Sequence, residues 1–360
     1  MSVVTTMPPM CDPACHDPAA LPGLVYAWGL SRRKRRFLKD FLGDVRVHFV
    51  HDGRSIPAQS CLLLWGSSPP PPGLSPDVSL VRLEDGFLRS VGLGSDLVRP
   101  LSWVFDNLGI YYDATRPSGL EHLLQTFRCE AGLLERAALL RSRIVESGIT
   151  KYNVEAGSWK RPAHAARVLL VPGQVESDAS ICYGAPGISS NMGLLRAVRQ
   201  AHPDAWVLYK PHPDVSAGLR QRGAGEDEAL AWCDEVIHDV PMGALLPLVD
   251  ELHVMTSLAG FEGLLRDKRV TCYGQPFYAG WGLTTDLQPI ERRTRTLGLD
   301  ELVAGALILY PRYVGRASGR LTTPEQALDE LLAWRDRSGG QVSCWRRLKR
   351  VFLRLIVGVR

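Results

Sequence analysis

Acidic side chains follow two apolar runs of the sequence, at the points where each run ends. The run 78–83 leads directly into Glu84 and Asp85, and the run 168–171 is followed within a few residues by Asp178. Short apolar runs of this kind are typical of buried strands, and open α/β sheets bind ligands beyond the carboxyl ends of their strands. Carboxylates at such places can transfer protons to a substrate or attack it.

The same acids also have structural explanations. Asp85 and Gly86 form a common turn pair, and an aspartate such as Asp178 often caps a helix. Because successive side chains along a strand point to opposite faces, we expect only one of Glu84 and Asp85 to face a ligand. The sequence alone leaves the choice between them open.

A histidine held between two prolines follows a third apolar run. The run 207–210 ends in Lys210, and His212 stands between Pro211 and Pro213. The prolines keep the backbone extended and fix the direction of the imidazole. With the neighbouring lysine, this histidine suits a contact to a phosphate group, although a purely structural role is the alternative.

Two hydroxyl residues, Thr256 and Ser257, stand between the apolar run 251–255 and a predicted helix. Hydroxyl residues at a helix start satisfy its first N–H groups, and the remaining N–H groups can bind an anion. We therefore predict an anion contact here. Capping alone would explain the same residues.

Several common catalytic motifs are missing from the chain. It has no Walker loop, no Gly-x-Gly-x-x-Gly opening a helix and no Gly-x-Ser-x-Gly elbow, which disfavours a kinase, a dehydrogenase and an α/β-hydrolase. No Asp-x-Asp pair ends a strand, so a metal-independent donor with a single phosphate is favoured. Cys11, Cys15 and His16 lack a second ligand pair with zinc spacing, and we expect no metal site.

Strands and helices alternate along the chain and divide it into two halves. The expected strands are 24–28, 45–50, 61–65 and 78–83 in the first half, and 167–171, 206–210, 235–238, 251–255 and 270–273 in the second. Long helical patterns cover about 120–149 and 192–200. This alternation predicts an α/β protein whose two Rossmann-like, doubly wound domains face a cleft between them.

The polar segment 150–162 separates the two halves and indicates a domain boundary. We predict a disordered lead-in over 1–23, domains over 24–150 and 163–320, and carboxyl-terminal helices with a basic tail over 323–360.

Composition restricts the class of protein further. The 360 residues carry a formal net charge of +4 from nearly balanced acids and bases, which gives no indication of a nucleic-acid partner. Eight scattered cysteines, several inside apolar runs, suggest a reducing compartment. The lead-in lacks the apolar core of a signal peptide, and no run reaches the ~20 apolar residues of a membrane-spanning helix. We therefore expect a cytoplasmic protein that does not span a membrane.

Six blocks of sequence coincide, in the same order, with those of a known family. Over roughly residues 25–313 the chain resembles the bacterial capsular-polysaccharide Kdo transferases of the KpsC type. The matching blocks are 82–90, 109–114, 174–180, 209–214, 256–262 and 272–282. Members of this family commonly carry two transferase modules, and this chain resembles a single module of the carboxyl-terminal kind.

The resemblance implies a GT-B-like fold and a retaining glycosyltransferase that uses CMP-β-Kdo as donor, with no metal or other cofactor. The implied acceptor is a Kdo-terminated lysophosphatidylglycerol glycolipid, and the product is a β-Kdo linker of capsular polysaccharide. The likeness to the carboxyl-terminal module favours a β-(2→7) linkage. The Glu-Asp-Gly, His-Pro and Thr-Ser blocks also resemble those of bacterial sialyltransferases, which use another CMP-linked acidic sugar.

Retention through two displacements needs a carboxylate nucleophile and a second carboxylate as acid/base. The resemblance implies Asp178 as the nucleophile and Glu84 or Asp85 as the acid/base. The implied substrate-binding residues are Lys210 and His212 for the phosphate of CMP, Thr256 and Ser257 for the leaving group, Arg82, Arg89 or Lys151 for the Kdo carboxylate, and Gln174 and Glu262 from the matching blocks.

The last residues combine apolar and basic side chains. Over 345–357 a helix would place Trp345, Leu348, Phe352 and Leu355 on one face, with basic residues around them. Such a helix can lie on an anionic membrane surface, although docking on the protein's own core is the alternative. With a lipid acceptor, this predicts a peripheral protein on the cytoplasmic face of the inner membrane.

Two other functions are compatible with the sequence. One is a transferase for another CMP-linked acidic sugar, or one that acts on an O-antigen. The other is a non-catalytic component of capsule polysaccharide export that binds glycolipid through the same fold, because a fold does not fix a function. The presence of Glu84, Asp85, Asp178 and His212 favours catalysis.

Overall fold

The computed structural model describes residues 21–90, 99–150 and 157–338. In these ranges the chain forms two β-sheets, one of seven strands and one of six, with helices packed against them. This arrangement confirms the predicted α/β class. Most of the predicted lead-in, Lys151 and the tail over 345–357 lie outside the described residues.

The strands are β1 (Leu24–Trp28), β2 (Arg46–Phe49), β3 (Cys61–Trp65), β4 (Ser79–Asp85), β5 (Ser102–Asp106), β6 (Val168–Pro172), β7 (Trp206–Lys210), β8 (Glu235–Val236), β9 (Glu251–Val254), β10 (Arg269–Cys272), β11 (Thr285–Asp286), β12 (Pro311–Val314) and β13 (Leu321–Thr322). The helices are α1 (Arg32–Leu42), α2 (Gly119–Thr126), α3 (Ala131–Glu146), α4 (Ala179–Gly184), α5 (Asn191–Ala201), α6 (Pro213–Ser216), α7 (Met242–Leu245), α8 (Leu258–Leu264), α9 (Leu299–Val303) and α10 (Pro324–Ser338).

The first sheet has the strand order β13-β12-β5-β4-β3-β1-β2. Strands β1 to β4 are mutually parallel, so their carboxyl ends lie at one edge of the sheet. Strand β5 joins β4 antiparallel, and β12 joins β5 antiparallel. The second domain predicted over 163–320 includes β12, but this strand pairs with β5 of the first sheet. A strand of four residues that pairs with a partner about two hundred residues earlier gives no local signal.

The second sheet has the order β11-β10-β9-β6-β7-β8, and all its strand pairs are parallel. From β6 the chain builds outwards through β7 and β8, then returns to β9 on the other side of β6. Such a reversal of direction opens a crevice at the carboxyl ends of the two strands concerned. Gln174 follows β6 and Thr256 follows β9, so both lie at this crevice.

The long helix predicted over 120–149 is wrong in one respect, because it is two helices, α2 and α3. Phe127 ends α2 in an extended conformation, and its ring packs into the core with 7% exposure. Arg295 donates hydrogen bonds to the carbonyl of Leu124, at 3.0 Å, and to that of Phe127. In a continuous helix these carbonyls would accept intrahelical hydrogen bonds. Because Arg295 donates to them instead, the break between the helices leaves few backbone groups without a hydrogen bond.

One apolar cluster runs without interruption through elements of both sheets. The ring of Phe87, just after β4, stacks on that of Phe277, which follows β10, with 4.5 Å between their centroids. Buried Glu121 on α2 accepts hydrogen bonds from Arg292 and, at 2.8 Å, from Arg293. The elements that carry the predicted site residues are therefore held against one another by packing and by buried ion pairs.

Candidate active site

A cavity of about 300 Å³ lies between the carboxyl end of β4 and the carboxyl ends of β6, β7 and β9. It brings together most of the predicted site residues, which come from four of the six matching sequence blocks. Those that line it are Glu84, Gln174, Asp178, Lys210, His212, Thr256, Ser257 and Glu262. Asp85, Arg82 and Arg89 are not among its lining residues.

The end of β4 separates its two adjacent acids. Glu84 lines the cavity, whereas the carboxylate of Asp85 accepts hydrogen bonds from Nε of Arg89 at 2.5 Å and from Nε1 of Trp103 at 3.1 Å. The expectation that only one of the pair faces the cavity is therefore met, and the residue is Glu84.

The two arginines predicted for a substrate carboxylate bind the protein itself. Arg82 donates hydrogen bonds to the carbonyl oxygens of Gly66, at 2.6 Å, and Ser68, at 3.1 Å, in the loop after β3. Arg89 is 6% exposed and pairs with Asp85. A sequence pattern cannot separate these roles from substrate binding, because all of them use a guanidinium beside a strand end. The third candidate, Lys151, lies outside the described residues.

Tyrosine hydroxyls approach Glu84 from the segment after β5. A Cβ atom at Gly66 would lie 2.7 Å from Oη of Tyr112 and 3.2 Å from Oε2 of Glu84, so both groups converge on this glycine. The Tyr112 hydroxyl also lies 3.0 Å from Oγ of Ser67. Burial raises the pKa of Tyr112, and the charges of Glu84 and Asp178 raise it further. Tyr112 therefore stays a neutral hydroxyl under the electrostatic influence of both carboxylates.

Neighbouring Tyr111 also lines the cavity. Burial, followed by the charges of Glu84 and Asp85, raises its pKa well above the ordinary value. Neither Tyr111 nor Tyr112 is among the predicted site residues, although both lie in the matching block 109–114. The signal that could have found them is a pair of aromatic residues with polar tips in a segment between predicted elements.

Asp178 is the acid of the second sheet that lines the cavity. Its side chain caps α4 by accepting the N–H of Ser180 at 3.2 Å, which confirms the capping interpretation. Nearby Glu176 instead accepts the N–H of Asn191 at 2.8 Å and holds the start of α5. Capping and facing the cavity are compatible, since a carboxylate has two oxygens.

Gln174 joins the two strand ends at the crevice. Its amide donates to Oγ1 of Thr256 and accepts from the N–H of Thr256, both at 3.0 Å, while its own N–H donates to Oδ1 of Asn191 at 2.9 Å. Ser257 caps α8 by accepting the N–H of Ala259 at 3.2 Å. The capping interpretation of Ser257 is confirmed, and both Thr256 and Ser257 line the cavity.

The segment after β7 fixes a lysine and a histidine. Nζ of Lys210, 3% exposed, donates to the carbonyl of His238 at 3.3 Å. Nδ1 of His212 accepts the N–H of Asp214 at 3.1 Å and so caps α6. Because Nδ1 acts as an acceptor, the neutral ring carries its proton on Nε2. His212 therefore has a structural role and also lines the cavity.

Substitution of Gly66 should test whether the Tyr112 and Glu84 side chains meet at this glycine. Gly66 has a φ of +52° and Gly29 a φ of +70°, but a Cβ at Gly29 would contact nothing within 4 Å. We expect Gly29→Ala to lower the free energy of unfolding by about 1 kcal/mol through backbone conformation alone. Gly66→Ala should lose roughly 1 kcal/mol more in urea denaturation, because it displaces the Tyr112 hydroxyl from Ser67. Equal losses would contradict this packing.

In the parts of the chain that the structure describes, no group of three or more His, Cys, Asp or Glu side chains is arranged to hold a metal ion. No helix in those parts combines the length and the apolar character needed to cross a membrane.

The chain has relatives among named capsule polysaccharide and lipopolysaccharide proteins. The chain is 42% identical over 322 residues to the capsule polysaccharide modification protein LipA of Neisseria meningitidis serogroup A, covering 87% of this chain and 46% of LipA. It is 39% identical over 325 residues to the lipopolysaccharide-processing protein LpsZ of Rhizobium meliloti, covering 86% of this chain and 74% of LpsZ. The chain thus spans about half the length of the meningococcal relatives it matches.

Two solved structures share this arrangement of elements. One is Thermosulfurimonas dismutans KpsC, β Kdo 2,7 transferase, with 40% identity and a TM-score of 0.72. The other is the KpsC β Kdo 2,4 transferase of the same organism, with 33% identity and a TM-score of 0.74. Each comparison covers 86% of this chain and 98% of the solved chain.

The family profile described as capsule polysaccharide biosynthesis protein matches residues 73–139 and 131–313. These matches include the strand ends that line the cavity. They agree with the KpsC-type resemblance of the six sequence blocks. The chain therefore belongs to the family of capsule polysaccharide biosynthesis proteins.

Proposed function

We propose that this chain is a retaining, metal-independent glycosyltransferase that moves Kdo from CMP-β-Kdo onto a Kdo-terminated lysophosphatidylglycerol glycolipid during synthesis of the capsule linker. The observation that carries this proposal is that Glu84 and Asp178 line one cavity from different sheets, together with Lys210 and His212. The likeness to two KpsC structures that are named Kdo transferases supports it.

We interpret the two sheets as the Rossmann-like domains of a GT-B-like fold, with the acceptor side on the first sheet, formed by 24–150 together with β12 and β13, and the CMP-sugar side on the second sheet. The higher identity to the 2,7 transferase, 40% against 33%, supports a β-(2→7) linkage. The TM-scores of 0.72 and 0.74 do not separate the two linkages.

The proposed reaction has two displacements. In the first, the Asp178 carboxylate attacks the anomeric carbon of Kdo, a covalent ester forms, and the bond to the phosphate oxygen of CMP breaks. In the second, Glu84 takes the proton of the acceptor hydroxyl, whose oxygen attacks the same carbon and releases Asp178. Two inversions at one carbon retain the β configuration. Asp85 is engaged by Arg89 and Trp103, which favours Glu84 as the acid/base.

The remaining cavity residues suit the departing CMP. Lys210 and Nε2 of His212 would bind its phosphate, and the hydroxyls of Thr256 and Ser257 would donate hydrogen bonds as charge grows on the leaving oxygen. Gln174 would hold Thr256 in position through its two hydrogen bonds. Glu262, 9% exposed on α8, lines the same side of the cavity.

His212→Asn should weaken binding of CMP about 10-fold or more, because it removes the Nε2 donor to a charged phosphate. Asparagine also caps helices well, so the variant keeps an acceptor for the N–H of Asp214. Isothermal titration with CMP measures the effect. His122→Asn, at an exposed position of α2, is the matched control and should bind CMP as the unaltered chain does. Unchanged CMP affinity in His212→Asn would remove His212 from the phosphate site.

We further propose that the protein works at the cytoplasmic face of the inner membrane. A lipid acceptor requires access to the membrane surface, and the basic, apolar residues of 345–357 would bind anionic lipids. This tail lies outside the described residues, so the proposal rests on its sequence pattern.

Incubation of the purified protein with CMP-Kdo and a synthetic acceptor that ends in Kdo tests the proposed function. Mass spectrometry should show one added Kdo residue, and NMR should show a β linkage. Transfer only from another CMP-linked acidic sugar would assign a different donor. Acceptor binding without transfer from any CMP-sugar would indicate a non-catalytic glycolipid-binding protein.

A further inference from the structure

Helix α1 begins with five consecutive basic residues, Arg32 to Arg36. It follows β1, whose carboxyl end lies at the same edge of the first sheet as Glu84 because β1 to β4 are parallel. The buried face of α1 is formed by Leu38, Phe41 and Leu42, so the basic first turns lie beyond the packed part of the helix. Among the described residues, no ion pair involves any of these five cations.

Lys34 is the member of this group that contacts the strand end next to Glu84, although it is not among the lining residues of the cavity. Its Nζ lies 3.2 Å from the centroid of the Trp65 ring. Trp65 ends β3 and precedes Gly66, and the Cβ position of Gly66 is 3.2 Å from Oε2 of Glu84. Lys34 and Glu84 are thus connected by neighbouring residues of the first sheet. Asp178, in contrast, belongs to the second sheet. The basic start of α1 therefore lies beyond the same sheet edge as Glu84, outside the lining of the cavity.

The surroundings of Lys34 lower the pKa of its ammonium group. Burial, with a smaller contribution from the charge of Arg89, lowers its pKa to about 8 against the opposing effects of the Glu84 and Asp85 charges. A half-buried ammonium has lost part of its hydration and gains from an additional anion beside it. The Trp65 ring holds the ammonium in place by a cation–π contact.

We propose that Lys34, on the basic start of α1, is the residue that recognises the acceptor, by pairing with a carboxylate on the acceptor's terminal sugar. The inference rests on the proposed function, and it identifies the chemical group of the acceptor that the protein binds. The position near Glu84 favours a carboxylate of the sugar itself over a lipid phosphate, because the partner of Lys34 must lie close to the hydroxyl that reacts. The pairing would direct that hydroxyl towards Glu84.

Equilibrium binding tests this inference without requiring transfer. We would titrate a Kdo glycoside and its carboxamide derivative into the unaltered chain and into Lys34→Gln, with glycerophosphoglycerol as a phosphate probe. Lys34→Gln should weaken binding of the carboxylate form about 10-fold and leave binding of the carboxamide unchanged. Lys34→Arg should recover part of the loss. Lys39→Gln, in the last turn of the same helix, should behave as the unaltered chain.

The pH dependence of binding provides a second test of the contact between Lys34 and the carboxylate. The Lys34 ammonium is charged below its pKa, so affinity for the carboxylate form should fall as pH rises above about 8. Lys34→Arg should keep its affinity over the same range, because a guanidinium stays protonated there. Thermal melting of each variant shows whether the fold is retained.

Three results would overturn the inference. They are unchanged carboxylate affinity in Lys34→Gln, equal losses for the carboxylate and carboxamide forms, and a dependence on Lys34 for the phosphate probe alone. A different result would contradict the proposed function alone. In that case the unaltered chain would transfer no sugar, while the carboxylate form would still bind with a dependence on Lys34.

Discussion

Asp178→Asn should abolish transfer of Kdo, with a fall in kcat of about 10³-fold or more, because an amide cannot replace a carboxylate as the attacking group. The substitution is nearly isosteric. Asparagine also accepts the hydrogen bond that Asp178 receives from the N–H of Ser180, so α4 keeps its cap. The loss should therefore reflect the chemistry of the carboxylate and not the stability of the fold. Initial rates with CMP-Kdo and a Kdo-terminated acceptor measure it.

Asp336→Asn is the matched control for this prediction, because it removes a carboxylate that is 71% exposed on α10. It should transfer sugar at the unaltered rate. Denaturation curves for both variants should coincide with that of the unaltered chain. An Asp178→Asn protein that retains a substantial fraction of the transfer rate would exclude Asp178 as the nucleophile.

Glu84→Gln should lower the rate of transfer by about 10²- to 10⁴-fold, the usual contribution of a general acid/base. The first displacement needs no proton from the acceptor, so this variant should still release about one equivalent of CMP per protein molecule. Rapid-quench measurement of CMP should then show a burst followed by slow turnover. Loss of the burst together with turnover would indicate that Glu84 acts before the acceptor does.

The neighbouring acid provides the comparison. Asp85→Asn should chiefly lower the stability, because it weakens the ion pair with Arg89, which is 6% exposed, and the bond from Trp103. Protein that remains folded should keep a CMP burst and a measurable turnover. If Asp85→Asn showed the burst without turnover and Glu84→Gln did not, the assignment of the acid/base would be reversed.

The elements of the molecule could be predicted where the signal was local. Apolar runs ending in acids or in the Lys210-to-Pro213 segment identified β4, β6 and β7 and the side chains that follow them. The alternation of side chains along β4 also predicted that only one of its two terminal acids would face the cavity. These features depend on residues a few positions apart, so the sequence carries them directly.

Features set by distant contacts could not be predicted in this way. The return of β12 to the first sheet depends on pairing with β5, and the end of α2 at Phe127 depends on Arg295. The place of Arg82 and Arg89 was decided by partners in other elements, namely the loop after β3 and Asp85. The position of the Tyr112 hydroxyl near Glu84 depends on contacts at Gly66, which belongs to a different segment of the chain.

Peptide mapping by mass spectrometry after incubation of Glu84→Gln with CMP-Kdo tests the central claim most directly, because it joins the donor, the nucleophile and the acid/base in one result. The account predicts a single peptide, the one containing Asp178, that is heavier by one Kdo residue, and predicts its absence when Asp178 is also changed to asparagine. An unaltered chain that transfers Kdo, combined with no adduct in Glu84→Gln or with an adduct on another peptide, would contradict it.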